Sequence, residues 1–176
     1  MFRPPLSLLL GLAPVPLAVA SALADRPAIL LNTTPSEPMG LYLATDARPA
    51  RGARIAFRIP GPGRGYAARD MPERLRSSIL KTVLAREGDR VCTTSGRLVV
   101  NGRDLAPISE RDRHGERLPR WRDCRPLRAG EYFVFSSRIP NSFDSRYYGP
   151  VSSSDVIGVY APLGASRTAP GRRPAS

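Results

Sequence analysis

Lys81 is the only lysine in a chain that carries 26 arginines, since 27 basic residues less one remain. Arginine stays protonated in a protein and takes no proton at neutral pH, whereas a buried ammonium loses its proton readily. Lys81 lies in ILKTVLA (79–85), an apolar and β-branched run, which makes it a candidate base. Bringing an amine from a pKa of about 10.4 to between 7 and 8 costs roughly 4 kcal/mol. Desolvation by Ile79, Leu80, Val83 and Leu84 is the means of supplying that penalty. The competing expectation is a lysine whose ammonium snorkels out to water.

A base needs a nucleophile, and Ser36 stands in TPSEPMG between Pro35 and Pro38. Prolines on either side hold the backbone extended, so a hydroxyl there can be aimed. Taken alone, the segment also fits a polar turn. A third segment, NSFDSRYYGPV (141–151), brings a hydroxyl, a carboxylate and a guanidinium close together. Asp144 and Arg146 can pair to brace a site, and Ser142 can hydrogen-bond the Lys81 amine. Its plainer alternative is a solvated turn packed by Tyr147 and Tyr148.

Other chemistries lack their residues. The single histidine, His114, stands among Arg111, Arg113, Arg117, Arg120 and Arg122, a poor setting for a general base, which argues against a Ser-His-Asp triad. Two cysteines and one histidine fall short of a four-ligand zinc set, so neither metal nor cofactor is expected. The formal charge of +12 suits nucleic acid, anionic lipid or an acidic partner, and it equally suits arginine spread over a solvated surface. Neither a recognition helix nor a basic motif interleaved with aromatics is visible, so no specific nucleic-acid binding is expected.

The elements that must position these residues read mainly as strands. RIAFRI (54–59), ILKTVLA (79–85), EYFVFSS (131–137) and DVIGVYAPL (155–163) are predicted strands, and Asn101-Gly102 after Leu98–Val100 predicts a tight turn. Gly88-Asp89 marks another turn. LLNTTPSEPMGLY is expected to be irregular and extended, PGPGRGYAARD (60–70) a flexible loop, and the stretch after Met71 to begin with a helical turn. Residues 107–128, rich in arginine and holding Trp121 and Cys124, read as a surface excursion. With 15 Gly and 19 Pro in 176 residues, one loop-rich β domain is the expectation.

Residues 4–24 carry no charge and are long enough to cross a bilayer, which takes about 20 residues. Ala22-Leu23-Ala24 before Asp25 fits a cleavable signal segment equally well. Either way residues 25 onward cross the membrane. In the oxidising compartment beyond it, Cys92 and Cys124 are expected to pair, closing a loop worth roughly 3–4 kcal/mol; two free thiols are the alternative. The domain plan is an anchor or signal segment over 1–24, one globular domain over 25–163, and a disordered tail over 164–176.

Taken in order, an apolar N-terminus, S-x-P-x-G at 36–40, Lys81 followed by GDRV (88–91), and NSFDSRYYGPV resemble the type I signal peptidase superfamily. Within it, NTTPSEPMGLY (32–42) and SFDSRYYGPV are most similar to the TraF-type conjugative transfer peptidases, over about residues 30–160. The resemblance implies a coiled antiparallel β-sheet domain after an N-terminal apolar helix, with Ser36 as nucleophile and Lys81 as base. It places Asp144 and Ser142 near the lysine, Arg146 as their structural partner, and Thr34 with the Ser36 backbone N–H as the oxyanion hole. It further implies a pilin precursor as substrate, cleaved or cyclised, with membrane lipid and other conjugative transfer components as partners, at the periplasmic face of the bacterial inner membrane. Two positions depart from ordinary leader peptidases: SSRIP (136–140) replaces a Gly-Asp-Asn stretch, and Glu37 replaces a methionine. A general signal peptidase for secretory preproteins is the nearest alternative, and a non-enzymatic basic binding module the more distant one.

Overall fold

Two antiparallel sheets organise residues 26–164, the part of the chain that the computed structural model describes. The expected anchor or signal segment (1–24) and the tail beyond Gly164 lie outside the described residues. The larger sheet takes β1 (Ile29–Asn32), β2 (Gly40–Thr45), β3 (Arg54–Arg58), β4 (Ser78–Arg86), β9 (Glu131–Val134), β10 (Val151–Ser152) and β11 (Val156–Pro162). Its order is β1-β2-β11-β3-β4-β9-β10, so the last strand lies between the second and third. The smaller sheet, β7-β6-β5-β8, is built from β5 (Arg90–Cys92), β6 (Arg97–Val100), β7 (Arg103–Pro107) and β8 (Cys124–Pro126).

Alternation along β4 explains where the lysine goes. Side chains two apart on a strand share a face, so Lys81 points with Ile79 and Val83 into the cluster formed with Ile55, Phe57, Val134 and Val151. Leu80 faces the opposite side, with Tyr42, Ala56 and Tyr160. β4 pairs with β3, Ile55 opposite Lys81, and with β9, where a register shift between Val83 and Ala85 bends the strand. A third cluster, Val91, Leu98, Leu127 and Phe133 among others, packs beneath the smaller sheet. The turn at Asn101-Gly102 has both residues at positive φ, 50° and 80°, the geometry the Asn-Gly pair favours.

The mainly β architecture expected from the sequence is observed, with local differences. PGPGRGYAARD is not a loop: Gly61–Asp70 is a helix, α1. Pro60 caps it and a proline stands in its first turn, where the missing N–H costs nothing. Its buried residues are Gly63 and Ala67, so the contact is made by the smallest side chains and leaves no apolar stripe in the sequence. A Cβ on Gly63 would lie 2.9 Å from both Ile59 Cγ2 and Tyr148 Cβ. LLNTTPSEPMGLY is extended at its two ends, which belong to the β1–β2 hairpin, and irregular over 33–39. The arginine-rich excursion returns to the protein as β8, where Cys92 and Cys124 stand opposite each other and are bonded. EYFVFSS is strand only to Val134, and the helical turn after Met71 is the short 3₁₀ segment Glu73–Leu75.

Candidate active site

Ser36 and Lys81 meet although they are 45 residues apart: the Lys81 amine is hydrogen-bonded to Ser36 Oγ. Their side chains are 3% and 5% exposed, so the contact is made out of water. Burial pulls the Lys81 pKa from 10.5 down to about 8. The Asp144 and Glu37 carboxylates work against that fall, and Arg146 adds to it. A lysine near 8 is partly neutral at physiological pH, which an arginine never is.

The loop that carries Ser36 is held by Asn32, the last residue of β1. Asn32 Nδ2 donates to the carbonyls of Thr34, Glu37 and Pro38 at 3.0, 3.1 and 3.0 Å. Three acceptors fix which end of the carboxamide is nitrogen. Its Oδ1 then accepts the Thr34 N–H at 3.1 Å and the Thr34 hydroxyl at 2.8 Å. Thr34 Oγ1 also lies 3.3 Å from Ser36 Oγ. Thr34 therefore touches the serine, but its one hydrogen is directed to Asn32. From the other side, Ser136 Oγ donates to the Ser36 carbonyl oxygen, and Arg138 Nε reaches the Pro35 carbonyl at 3.3 Å.

Asp144 is fully buried and caps α2 (Ser145–Tyr148). Arg146, two residues on, grips it with Nε on Oδ1 at 2.8 Å and Nη2 on Oδ2 at 2.9 Å. Such a two-point pair is the geometry that makes a buried charge tolerable. Arg146 also donates to the carbonyls of Pro107 and Ser142, at 2.9 and 3.1 Å, and lies 4.9 Å from the Phe135 ring centre. The segment read from sequence as either site or solvated turn is a buried brace. Ser142 lines the same cavity as Ser36 and Lys81, yet its Oγ has no hydrogen-bond partner and does not hold the amine.

That cavity, about 270 Å³, opens beside the pair and is walled mainly by apolar groups, among them Leu30, Leu75, Ile79, Ile139 and Phe143. GDRV, for its part, does not reach the cavity. Its Asp89 anchors the joint between the sheets, accepting from Arg51, from the Arg86 N–H at 2.9 Å and from Asn101 Nδ2 at 2.8 Å. Cys92 and Cys124 are likewise remote, in the smaller sheet. Ser136 carries no signal in the sequence that separates it from other polar residues, and Asn32, although it opens NTTPSEPMGLY, has no role there that the sequence alone reveals.

Comparisons with known proteins show what the chain is similar to. The family model described as "Signal peptidase, peptidase S26" matches residues 8–162. A plasmid transfer protein TraF of Escherichia coli is 37% identical over 144 residues, covering 76% of this chain and 81% of its own. A conjugal transfer protein TraF of Agrobacterium fabrum is 28% identical over 169 residues, covering 88% and 92%. A signal peptidase I crystal structure from Enterococcus faecalis superposes with a TM-score of 0.38 at 23% identity, over 65% of this chain and 98% of that one. The sequence match, which runs over nearly the whole described region, carries the assignment: the chain belongs to the signal peptidase family, peptidase S26.

Proposed function

We propose that this peptidase is a serine endopeptidase in which Lys81 deprotonates Ser36, and that it processes a pilin precursor for conjugative pilus assembly. The observation that carries the proposal is the buried Lys81–Ser36 hydrogen bond at the mouth of an apolar cavity. The neutral amine takes the hydroxyl proton as Ser36 Oγ attacks a peptide carbonyl carbon, and the developing oxyanion faces the Ser36 N–H. Thr34 becomes a second donor when its hydroxyl turns about the Cβ–Oγ bond away from Asn32 Oδ1. The Lys81 ammonium then returns its proton to the leaving amine, and an ester to Ser36 remains. Water releases a linear product; the substrate's own amino terminus, attacking the same ester, releases a cyclic one.

The conjugative role is supported by relatives that are named plasmid transfer and conjugal transfer proteins. A position at the outer face of the cytoplasmic membrane is supported by residues 4–24 and by the β1–β2 hairpin. On one face of that hairpin Ile29, Leu31, Leu41 and Leu43 stand opposite each other in register, and all four are exposed. Apolar side chains gathered this way fit a lipid surface or a membrane-inserted substrate. Among the described residues, no helix is long and apolar enough to cross a membrane.

The test is co-expression with the pilin precursor of the same conjugative element, with precursor mass followed for wild type, Ser36→Ala and Lys81→Arg. Wild type is expected to trim the precursor and both variants to leave it intact, because Lys81→Arg keeps the charge and removes the base. A product one water lighter than the linear form identifies cyclisation. Normal trimming by Lys81→Arg removes the proposed mechanism. Accumulation of unrelated secretory precursors on depletion transfers the substrate assignment to general preprotein processing.

A further inference from the structure

The side chain that joins the Ser36 loop to the Lys81 strand belongs to neither residue. Glu37, the neighbour of the serine, is 3% exposed. Its Oε1 accepts the backbone N–H of Thr82, the neighbour of the lysine, at 2.8 Å. The Thr82 hydroxyl lies 2.9 Å from both carboxylate oxygens, and Arg54 on β3 donates Nε to Oε2 at 3.2 Å. A carboxylate taken out of water costs several kcal/mol unless donors meet it, and here each one does. Residues 81 and 82 point to opposite faces of β4. Ser36 and Lys81 thus line one cavity, while Glu37 and Thr82 line a second one behind it.

We infer that Glu37 is a positioning residue: its carboxylate, bonded to Thr82, fixes the separation of Ser36 Oγ and Lys81 Nζ and sets a negative charge behind the lysine on the other face of β4, a role that rests on the assignment of Ser36 and Lys81 as nucleophile and base. The charges acting on Lys81 come from two elements. Glu37 belongs to the serine loop, Asp144 and Arg146 to α2 and its cap, and Arg54 reaches the amine only through Glu37. Asp144 is held at two points by Arg146, whereas Arg54 meets Glu37 at one. Asp144 acts on Lys81 more strongly than Glu37, but removing it would also free buried Arg146, so Glu37 is the cleaner perturbation.

Because Lys81 is the only lysine, ε-13C-lysine labelling of the full chain in detergent gives a single side-chain resonance whose titration reads this amine alone. In wild type the midpoint is expected at about 8. Glu37→Gln keeps an acceptor for Thr82 and loses the charge, so its midpoint is expected about one pH unit lower. Glu37→Met loses both, and its kcat on the pilin precursor is expected to fall on the order of 100-fold with KM little changed, as reacting groups drift apart. Should Glu37→Met fail to fold by circular dichroism, the Glu37→Gln titration decides alone. A Glu37→Gln resonance that titrates at the wild-type midpoint overturns the proposal, and so does a folded Glu37→Met enzyme with wild-type kcat. Full turnover by Lys81→Arg sinks the nucleophile–base assignment instead, and does so without touching the titration.

Discussion

Burial of Lys81 opposes folding, and in the proposed mechanism it is what makes the amine a base. Its pKa falls from 10.5 to about 8 on burial, so between those values the unfolded chain holds a proton that the folded one has released. Protons therefore favour the unfolded state. The penalty is complete below about pH 8, shrinks as pH rises, and is gone above 10.5. At pH 7 it amounts to about 3 kcal/mol. Lys81→Met, which keeps the apolar stem, is expected to abolish turnover and raise the unfolding free energy by about that much at pH 7. The gain should fade toward pH 10, and urea denaturation at the two pH values measures both. Much of this site is legible in the sequence because Lys81 is unique and the serine stands between prolines. Asn32, Ser136 and the Glu37–Thr82 contact are not, since an amide, a hydroxyl and a carboxylate acquire roles only from what the fold brings to them. Ser142 shows the converse: its place beside Asp144 in the chain suggests a bond to the amine that the folded geometry does not make.

The elements divide along the same line. β3, β4 and β11 are visible as apolar runs because each is central in its sheet, β3 and β4 being largely buried and β11 partly so. α1 escapes pattern reading because its packing face is glycine and alanine, and β1 and β2 escape it because their leucines face outward. The brace at α2 depends on one glycine. Gly149 has a φ of 82°, and a Cβ there would lie 2.7 Å from Trp121 Cδ1. Gly149→Ala meets strain and overpacking together, so a loss of about 2–4 kcal/mol is expected. A lowered denaturation midpoint with an unchanged m-value tests it. Because α2 bears Arg146 and is capped by Asp144, processing should weaken along with stability.

Across the whole molecule, the two sheets carry different duties. None of the cavity walls belongs to β5, β6, β7 or β8. The bond between Cys92 and Cys124 spans 32 positions of chain within the smaller sheet and stabilises it by roughly 3–4 kcal/mol. Replacing both cysteines with serine is expected to lower the melting temperature, yet to leave turnover near wild type at temperatures below the new transition. Loss of turnover with the fold intact by near-ultraviolet circular dichroism refutes this separation.

The strand order has a consequence for the life of the chain before it is whole. β11, the last strand made, is the only link in the ladder between β2, which continues from the serine loop, and β3, which leads to the lysine strand. A chain synthesised amino end first therefore has Ser36 and Lys81 in place along it before it has the sheet that holds them together. The sheet closes only with residues 156–162, and under the proposed mechanism the pair stays idle until they have docked.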